Sequence, residues 1–331
     1  MRALPTSAVA ALSVIVALMV VMWPNPWSSA AIAQGRAIRL IVPYAPGGGA
    51  DGVARILANG LSTQLGRTVV VENRPGGNTI VAAEVVANSE PDGDTLLVSF
   101  DETFTVVPLL HLAGSFEPDK ALTPVSLLGR LLTVILVNPA VPVISLPDLI
   151  EQARAKPGSF SYASAGTGDG TQLAMEMLKH LAKVDILHVP YRGTAPAAAA
   201  VAAGDVQLGI AGYATAKGLI DAGRLKPLAV AGPDRLAQLP DLPTTKELGY
   251  AKVDATSWLG VVAPAKTPPE TIDRVSAALA QVLANKAVRD QLAASRFFEV
   301  VNLGPKGFAA QMQERFQLMK EAVEIANAGQ P

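Results

Sequence analysis

Cysteine is absent from the 331 residues, which removes disulfide frameworks, thiolate zinc sites, iron–sulfur clusters and cysteine nucleophiles together. Histidine is scarce. His111, His180 and His188 are the only three, and none forms the H-x-x-x-H or H-x-H spacing from which a histidine metal site is built. A surplus of either charge is missing too: 27 Lys and Arg stand against 28 Asp and Glu, so there is no basic footprint for nucleic acid. Charged residues make up only 17% of the chain and hydrophobic ones 50%, which excludes a disordered protein and supplies material for a sizeable core. At roughly 150 residues per domain the length suggests two domains.

Long hydrophobic runs are lacking except at the start, where Ala8 to Trp23 is almost wholly apolar and Arg2 is the only charge before Arg36. Sixteen residues fall short of the roughly 20 that a spanning helix needs and fit the core of a secretory signal. A helix-breaking Pro24-Asn25-Pro26 and the small-residue pattern Ala31-Ile32-Ala33 follow. The expectation is a signal peptide over residues 1–33, cleaved after Ala33, against an uncleaved N-terminal anchor as the alternative. With no cysteine at the site a lipid anchor is excluded. The mature part loses one positive charge and keeps 26 basic and 28 acidic residues.

The rest of the chain alternates strands and helices. Ala37–Tyr44 is a short apolar run, and Asp51–Leu65 then has helical spacing with Val53, Ile56, Leu57 and Leu61 on one side. Thr68–Glu72 reads as a strand closed by Asn73-Arg74-Pro75-Gly76-Gly77, Thr79–Asn88 as a helix and Thr95–Phe100 as a strand. After a longer extended stretch, Leu127–Val137, strands are expected at 159–163, 185–189, 206–210 and 225–230, with helices at 146–155, 171–182, 196–203 and 214–222. A final strand, 257–263, precedes two amphipathic helices, 269–294 and 306–328. This rhythm argues for an α/β protein with mostly parallel sheets flanked by helices.

Open α/β sheets place ligands at strand C-termini, and four such ends carry unusual residues. In Tyr44-Ala45-Pro46-Gly47-Gly48-Gly49-Ala50-Asp51 glycines let the backbone approach a guest, and the following helix start presents free N–H groups, so the natural guest is an anion. Gly47, Gly49 and Gly52 also spell G-x-G-x-x-G with Glu72 about twenty residues on, the dinucleotide fingerprint. Pro43, Pro46 and Asp51 speak against that reading. The plainest alternative makes Asp51 a helix cap and the glycines a tight turn. Ser164-Ala165-Gly166-Thr167-Gly168-Asp169-Gly170-Thr171 is a second loop of the same kind, and together the two could hold one small anion. Ser164 lacks the G-x-S-x-G setting of a hydrolase nucleophile and has no evident base. At the third end, Arg192 suits a carboxylate or solvent, and His188 alternates with apolar neighbours as a structural residue does. At the fourth, Asp101 and Glu102 could form an acid–base pair, but consecutive strand-end residues point apart, which favours a solvated turn with at most one carboxylate on the site.

Ile38 to Phe100 (IRLIVPYAPGGGADGVARIL, TVVVENRPGGN, PDGDTLLVSF), Tyr162 to Thr171, HVPYRGTAPA, AGRLKPLAVAGPDRLAQLPDLPTTKELGY and SWLGVVAPAKTPPE together resemble the solute-binding proteins of tripartite tricarboxylate transporters, the Bug family, along essentially the whole mature chain. The resemblance implies a type II-like periplasmic binding protein with two α/β domains, residues 34–136 plus 256–331 and residues 137–255. Two crossing strands near Val134–Val137 and Ser257–Val261 would join them. It implies a small organic carboxylate held mainly by backbone amides and hydroxyls. The expected contacts are Tyr44, Pro46, Gly47, Gly48, Gly49 and Asp51 on the first loop; Ser164, Gly166, Thr167, Gly168 and Thr171 on the second; and Phe100, Tyr191, Arg192 and Tyr213 at the other strand ends. No catalytic residue, metal or cofactor is expected. The expected partners are transporter membrane subunits, and the receptor itself would be a monomer.

Gln172-Leu173, Val107-Pro108 and Ala211-Gly212 depart from the family's His-Leu, Asn-Pro and aspartate followed by a small polar residue, so a di- or tricarboxylate ligand does not transfer directly. Tyr44, Phe100 and Tyr213 leave room for an aromatic acid, and Asp101, Glu102 and Asp169 for an amino group. The alternative class, an exported enzyme or cofactor-binding protein using the same cleft, needs a base and a nucleophile that the sequence does not display. Intact mass of the protein from its native host is expected to show a chain starting at Gln34; a full-length, membrane-retained product overturns the signal-peptide reading.

Overall fold

The structure, a computed structural model, describes residues 36–294 and 299–328; the expected leader, residues 1–33, lies outside them. Strand β1 (Ile38–Val42) leads through the glycine loop into α1 (Gly49–Leu65). The helix buries Val53, Ala54, Leu57, Ala58 and Leu61 at three- and four-residue spacing and stops at Gly66, whose φ of 62° only glycine adopts cheaply. Then follow β2 (Val69–Asn73), α2 (Ile80–Ala87), β3 (Thr95–Phe100), the short helices α3 (Val106–Leu109) and α4 (Pro118–Ala121), and β4 (Leu122–Leu131). The chain crosses at Leu132 into β5 (Thr133–Val137). It continues through α5 (Leu146–Ala155), β6 (Phe160–Ser164), α6 (Gly170–Ala182), β7 (Ile186–Pro190), α7 (Thr194–Ala203), β8 (Leu208–Gly212), α8 (Tyr213–Asp221) and β9 (Lys226–Val230). It returns in β10 (Ser257–Pro264), followed by α9 (Pro269–Ala284), α10 (Lys286–Ala294), β11 (Glu299–Leu303) and α11 (Pro305–Ala328).

These strands form two helix-flanked sheets, ordered β11-β4-β10-β3-β1-β2 and β7-β6-β8-β5-β9. Both are mixed rather than mostly parallel. The pairs β1–β2, β1–β3, β6–β7 and β6–β8 are parallel, but β10 runs antiparallel to β3 and β4, β11 to β4, and β5 to β8 and β9. The reversed strands are β5, on which the chain enters the second sheet, β10, on which it returns to the first, and the terminal β11. The segment expected to cross, 134–137, pairs wholly within the second sheet, and the passage lies just before it, at Leu132. Strand β11 has no counterpart in the sequence pattern, and the helix expected over 269–294 is broken at Asn285, whose backbone is extended.

Alternation along the strands sets the layers: Leu40, Val42, Leu96 and Val98 face α1 and α9, while Ile41, Leu97 and Val262 face α2 and Phe308. Phe308 lies against β10 because Gly260 is there; a Cβ at that position would overlap the ring. Helix α11 serves both sheets. Phe308 packs in the first core, while Met319, Ala322, Val323 and Ala326 pack in the second beside α5 and α6.

Between those two apolar segments stands Arg315, 7% exposed. Its Nε donates to Asp101 Oδ2 at 2.8 Å and its guanidinium to the Asp254 carbonyl at 3.1 Å, with the Asp254 carboxylate at 3.6 Å. Ser257 Oγ donates to the other oxygen of Asp101. The pair expected as a solvated turn is therefore split: Asp101 is buried at the junction of the sheets, and only Glu102 stays half-buried. Removing one partner of such a pair leaves a buried uncompensated charge, so Arg315→Met is expected to lower the unfolding free energy by about 3–5 kcal/mol, read as a lower urea midpoint at unchanged slope.

Candidate functional site

The first glycine loop is built to expose its amides. Gly47 has φ +83°, a conformation that favours glycine, and its N–H donates to Asp51 Oδ2 at 2.9 Å. Arg55 Nε, one turn along α1, donates to the same oxygen at 2.9 Å. Asp51 is 3% exposed and acts as a strap across the loop; the helix cap is Gly48, with extended backbone. Burial works to raise the Asp51 pKa, but the hydrogen bonds from Arg55 and from the Gly47 N–H outweigh it and hold the carboxyl below its ordinary value. Beyond the strap, the N–H groups of Gly49, Ala50 and Asp51 donate to no acceptor among the described residues, as the first turn of a helix leaves them. Pro46, Gly47 and Gly48 are exposed beside them.

The second loop repeats the device with different parts. Asp169 caps α6 by accepting from the Thr171 N–H at 2.8 Å, Thr171 Oγ1 accepts from the Ala165 N–H at 2.9 Å, and Gln172 Oε1 accepts from the Gly168 N–H at 2.6 Å. The Thr167 and Gly170 N–H groups donate to nothing among the described residues. Gly166 and Gly168 have φ of +156° and +77°. Ser164, fully buried, holds the loop from below: its Oγ donates to the Gly166 carbonyl at 3.0 Å and lies 2.7 Å from His188 Nε2. Sequence reasoning leaves Ser164 without a histidine partner, because the two meet only through the pairing of β6 with β7. His188 also stacks on Tyr162, with centroids 4.9 Å apart, and burial lowers its pKa.

The second loop meets the segment that follows β3. A Cβ on Gly168 would stand 2.7 Å from Leu110 Cδ1, just beyond α3, and Glu102, on the turn after β3, feels the charge of Asp169. Tyr44 Oη donates to Glu102 Oε1 at 2.9 Å, and its ring lies 5.1 Å from that of Phe100. Burial, and then the Glu102 carboxylate, raise the Tyr44 pKa. Burial, together with the charges of Asp101 and Asp169, raises that of Glu102 against the opposing effect of the Tyr44 hydrogen bond.

The remaining expected residues divide. Tyr191 is half-buried at the end of β7, its N–H bonded to the Ser164 carbonyl at 3.0 Å. Arg192 is exposed and makes no ion pair among the described residues. Tyr213, 8% exposed, packs in the second sheet's core and lines a separate cavity with Leu132, Lys217 and Arg289.

The sequence model of the tripartite tricarboxylate transporter family receptor, TctC, matches residues 53–327. The chain belongs to this family. Among curated relatives of this receptor, a UPF0065 protein of Bordetella pertussis is 37% identical over 243 residues, 73% of this chain and 75% of its own. BugT of the same organism is 33% identical over 284 residues, 85% of this chain and 87% of its own. The receptor's fold is that of a TctC solute-binding protein from Polaromonas, at a TM-score of 0.79 and 25% identity over 88% of this chain and 99% of that one. It is also that of R. palustris Rpa4515, solved with adipate, at 0.73 and 29% over 89% and 98%. MatC from Rhodopseudomonas palustris, solved with malate, matches at 0.69 and 28% over 87% and 99%. The protein is a solute-binding receptor of the periplasmic type rather than an enzyme.

Asp51 generates a pH test. Its folded pKa is depressed, so its stabilisation is present above the unfolded value of about 3.9 and is lost as pH falls through the folded one. Asp51→Ala is expected to lose about 1–3 kcal/mol at neutral pH, a difference that shrinks in urea titrations below about pH 4.

Proposed function

We propose that this receptor captures one small organic carboxylate in a cleft between two lobes, one built on each sheet, and delivers it to the membrane subunits of a tripartite transporter. The observation that supports the reading is the pair of glycine loops whose amides, Gly49 to Asp51 and Thr167 with Gly170, are left without acceptors among the described residues. A carboxylate accepts several such N–H groups at once, and the partial positive charge of two helix starts adds to them. The malate and adipate found with structural neighbours support a carboxylate as guest. On this reading Tyr44, Phe100 and Tyr191 wall the site, Asp51, Ser164 and Thr171 shape the loops, and Arg192 is a rim contact. The receptor works as an exported monomer, released by cleavage after Ala33.

Gly48 separates backbone recognition from charge recognition. Its φ of −74° suits any residue, and a Cβ there meets only the Ala45 carbonyl at 3.4 Å. Gly48→Val therefore keeps the fold while covering the amides, whereas Gly168→Val adds backbone strain and a clash with Leu110. Hydrogen bonds to a charged ligand are worth roughly 1.5–3 kcal/mol each, so losing two weakens binding by about two to four orders of magnitude. Calorimetric titration with a panel of dicarboxylates, aromatic acids and amino acids is expected to show saturable one-to-one binding without turnover. Gly48→Val should abolish it at unchanged circular dichroism, and Arg192→Ala should cost less. Loss of binding in Arg192→Ala with normal binding in folded Gly48→Val replaces the amide cradle with a salt bridge.

A further inference from the structure

We infer that the ligand carries a protonated amine as well as its carboxylate, and that Glu102 is the residue that selects it. This rests on the carboxylate reading above and adds the other end of the ligand. Almost every acidic side chain around the two loops has its own cation or cap: Asp51 has Arg55, Glu72 has Arg39 and Arg74, and Asp101 has Arg315. Asp169 is held by the start of its helix. Glu102 alone among them has no cationic partner among the described residues; it accepts from the Tyr44 hydroxyl and feels the charges of Asp101 and Asp169.

Its geometry is fixed. Tyr44 Oη holds Oε1 at 2.9 Å, while Oε2 accepts no hydrogen bond among the described residues and is not sealed in the interior. The carboxylate therefore presents an open acceptor beside the Tyr44 and Phe100 rings, whose faces attract a cation. A dicarboxylate placed with one end on the amides would bring its second charge against Glu102 and Asp169. An ammonium in the same place is attracted by both. The sequence carries this feature where the loop after β3 reads Asp101-Glu102-Thr103-Phe104, and the hydrogen bond from Tyr44, 58 residues away, holds Glu102 beside the first glycine loop.

The test is calorimetric titration of the mature receptor with length-matched pairs: 6-aminohexanoate against adipate, and 4-aminobutanoate against succinate, with alanine for an α-amino group. At least one amino acid is expected to bind at least tenfold more tightly than the dicarboxylates. Glu102→Gln, which keeps an acceptor for Tyr44 and so the loop, should erase that preference at an unchanged ligand-free melting temperature, and Glu102→Lys should favour the dicarboxylates. Tighter binding of adipate or succinate by the unmodified receptor overturns the inference and leaves the carboxylate reading standing, as does a preference unchanged in Glu102→Gln. No binding in either series overturns both.

Discussion

The guanidinium of Arg315 is the point on which the arrangement turns. It is buried where the last helix passes from one sheet to the other, and it joins Asp101, at the end of the central strand β3, to Asp254, on the segment that brings the chain back from the second sheet. The end of a central strand, the returning passage and the last helix thus meet at a single charge. Burying an arginine is unfavourable unless its hydrogen bonds are met, and here a carboxylate, a backbone carbonyl and a second acid meet them. The same contact holds the turn after β3, where Asp101 is buried and its neighbour Glu102 accepts the hydrogen bond from Tyr44. A structural ion pair therefore stands one residue from the proposed amine contact.

The loops show how a nearly neutral protein can keep unused hydrogen-bond donors at the ends of its strands. Each helix start leaves donors that the fold does not use, and the side chains nearest them, Asp51, Asp169, Thr171 and Gln172, accept only those N–H groups that point into the loop. The acids thereby hold the loop's shape instead of occupying the place of an anion. Glycine at 47 and 168 is required by φ, while at 48 the backbone is ordinary and the absence of a side chain matters only for what approaches from outside.

Much of this was legible in the sequence, for a physical reason. Strand and helix periodicity are local, and the glycine-rich turns mark strand ends whatever the rest of the chain does, so the pattern locates β1, α1, β6 and α6 closely. The mixed direction of the sheets was not legible, since it depends on where the chain re-enters a sheet. Nor was β11, a short strand after a helix with no glycine turn to announce it. The side-chain partners that matter most are distant: Arg315 and Asp101 stand 214 residues apart, and Ser164 meets His188 only through strand register. Spacing rules carry no information about such pairs. The glycine turn before α1 pointed to an anion site, but which of its residues strap the loop and which stay open was decided by where Asp51 and Arg55 fall on the first turns of the helix.

Helix α11 bears on how such a receptor can move. Phe308 is anchored by Gly260 in the first core, and Met319 to Ala326 are anchored in the second. A rotation of one sheet layer against the other that keeps both contacts must pivot between them, which is where Arg315 lies. At a pivot displacements are smallest, so the ion pair survives the motion. The second loop begins beside this point, where a Cβ on Gly170 would stand 4.0 Å from the Arg315 guanidinium. An outlying ion pair that spans the junction, Arg130 with Asp234, is exposed on the Asp234 side and individually weak, and Lys252 with Glu321 is an exposed pair within the second sheet's side. The first limits the rotation without forbidding it. A buried ion pair where the last helix passes from one sheet to the other and an exposed one at the edge thus tie the two sheets with unequal strength, the first costly to break and the second cheap.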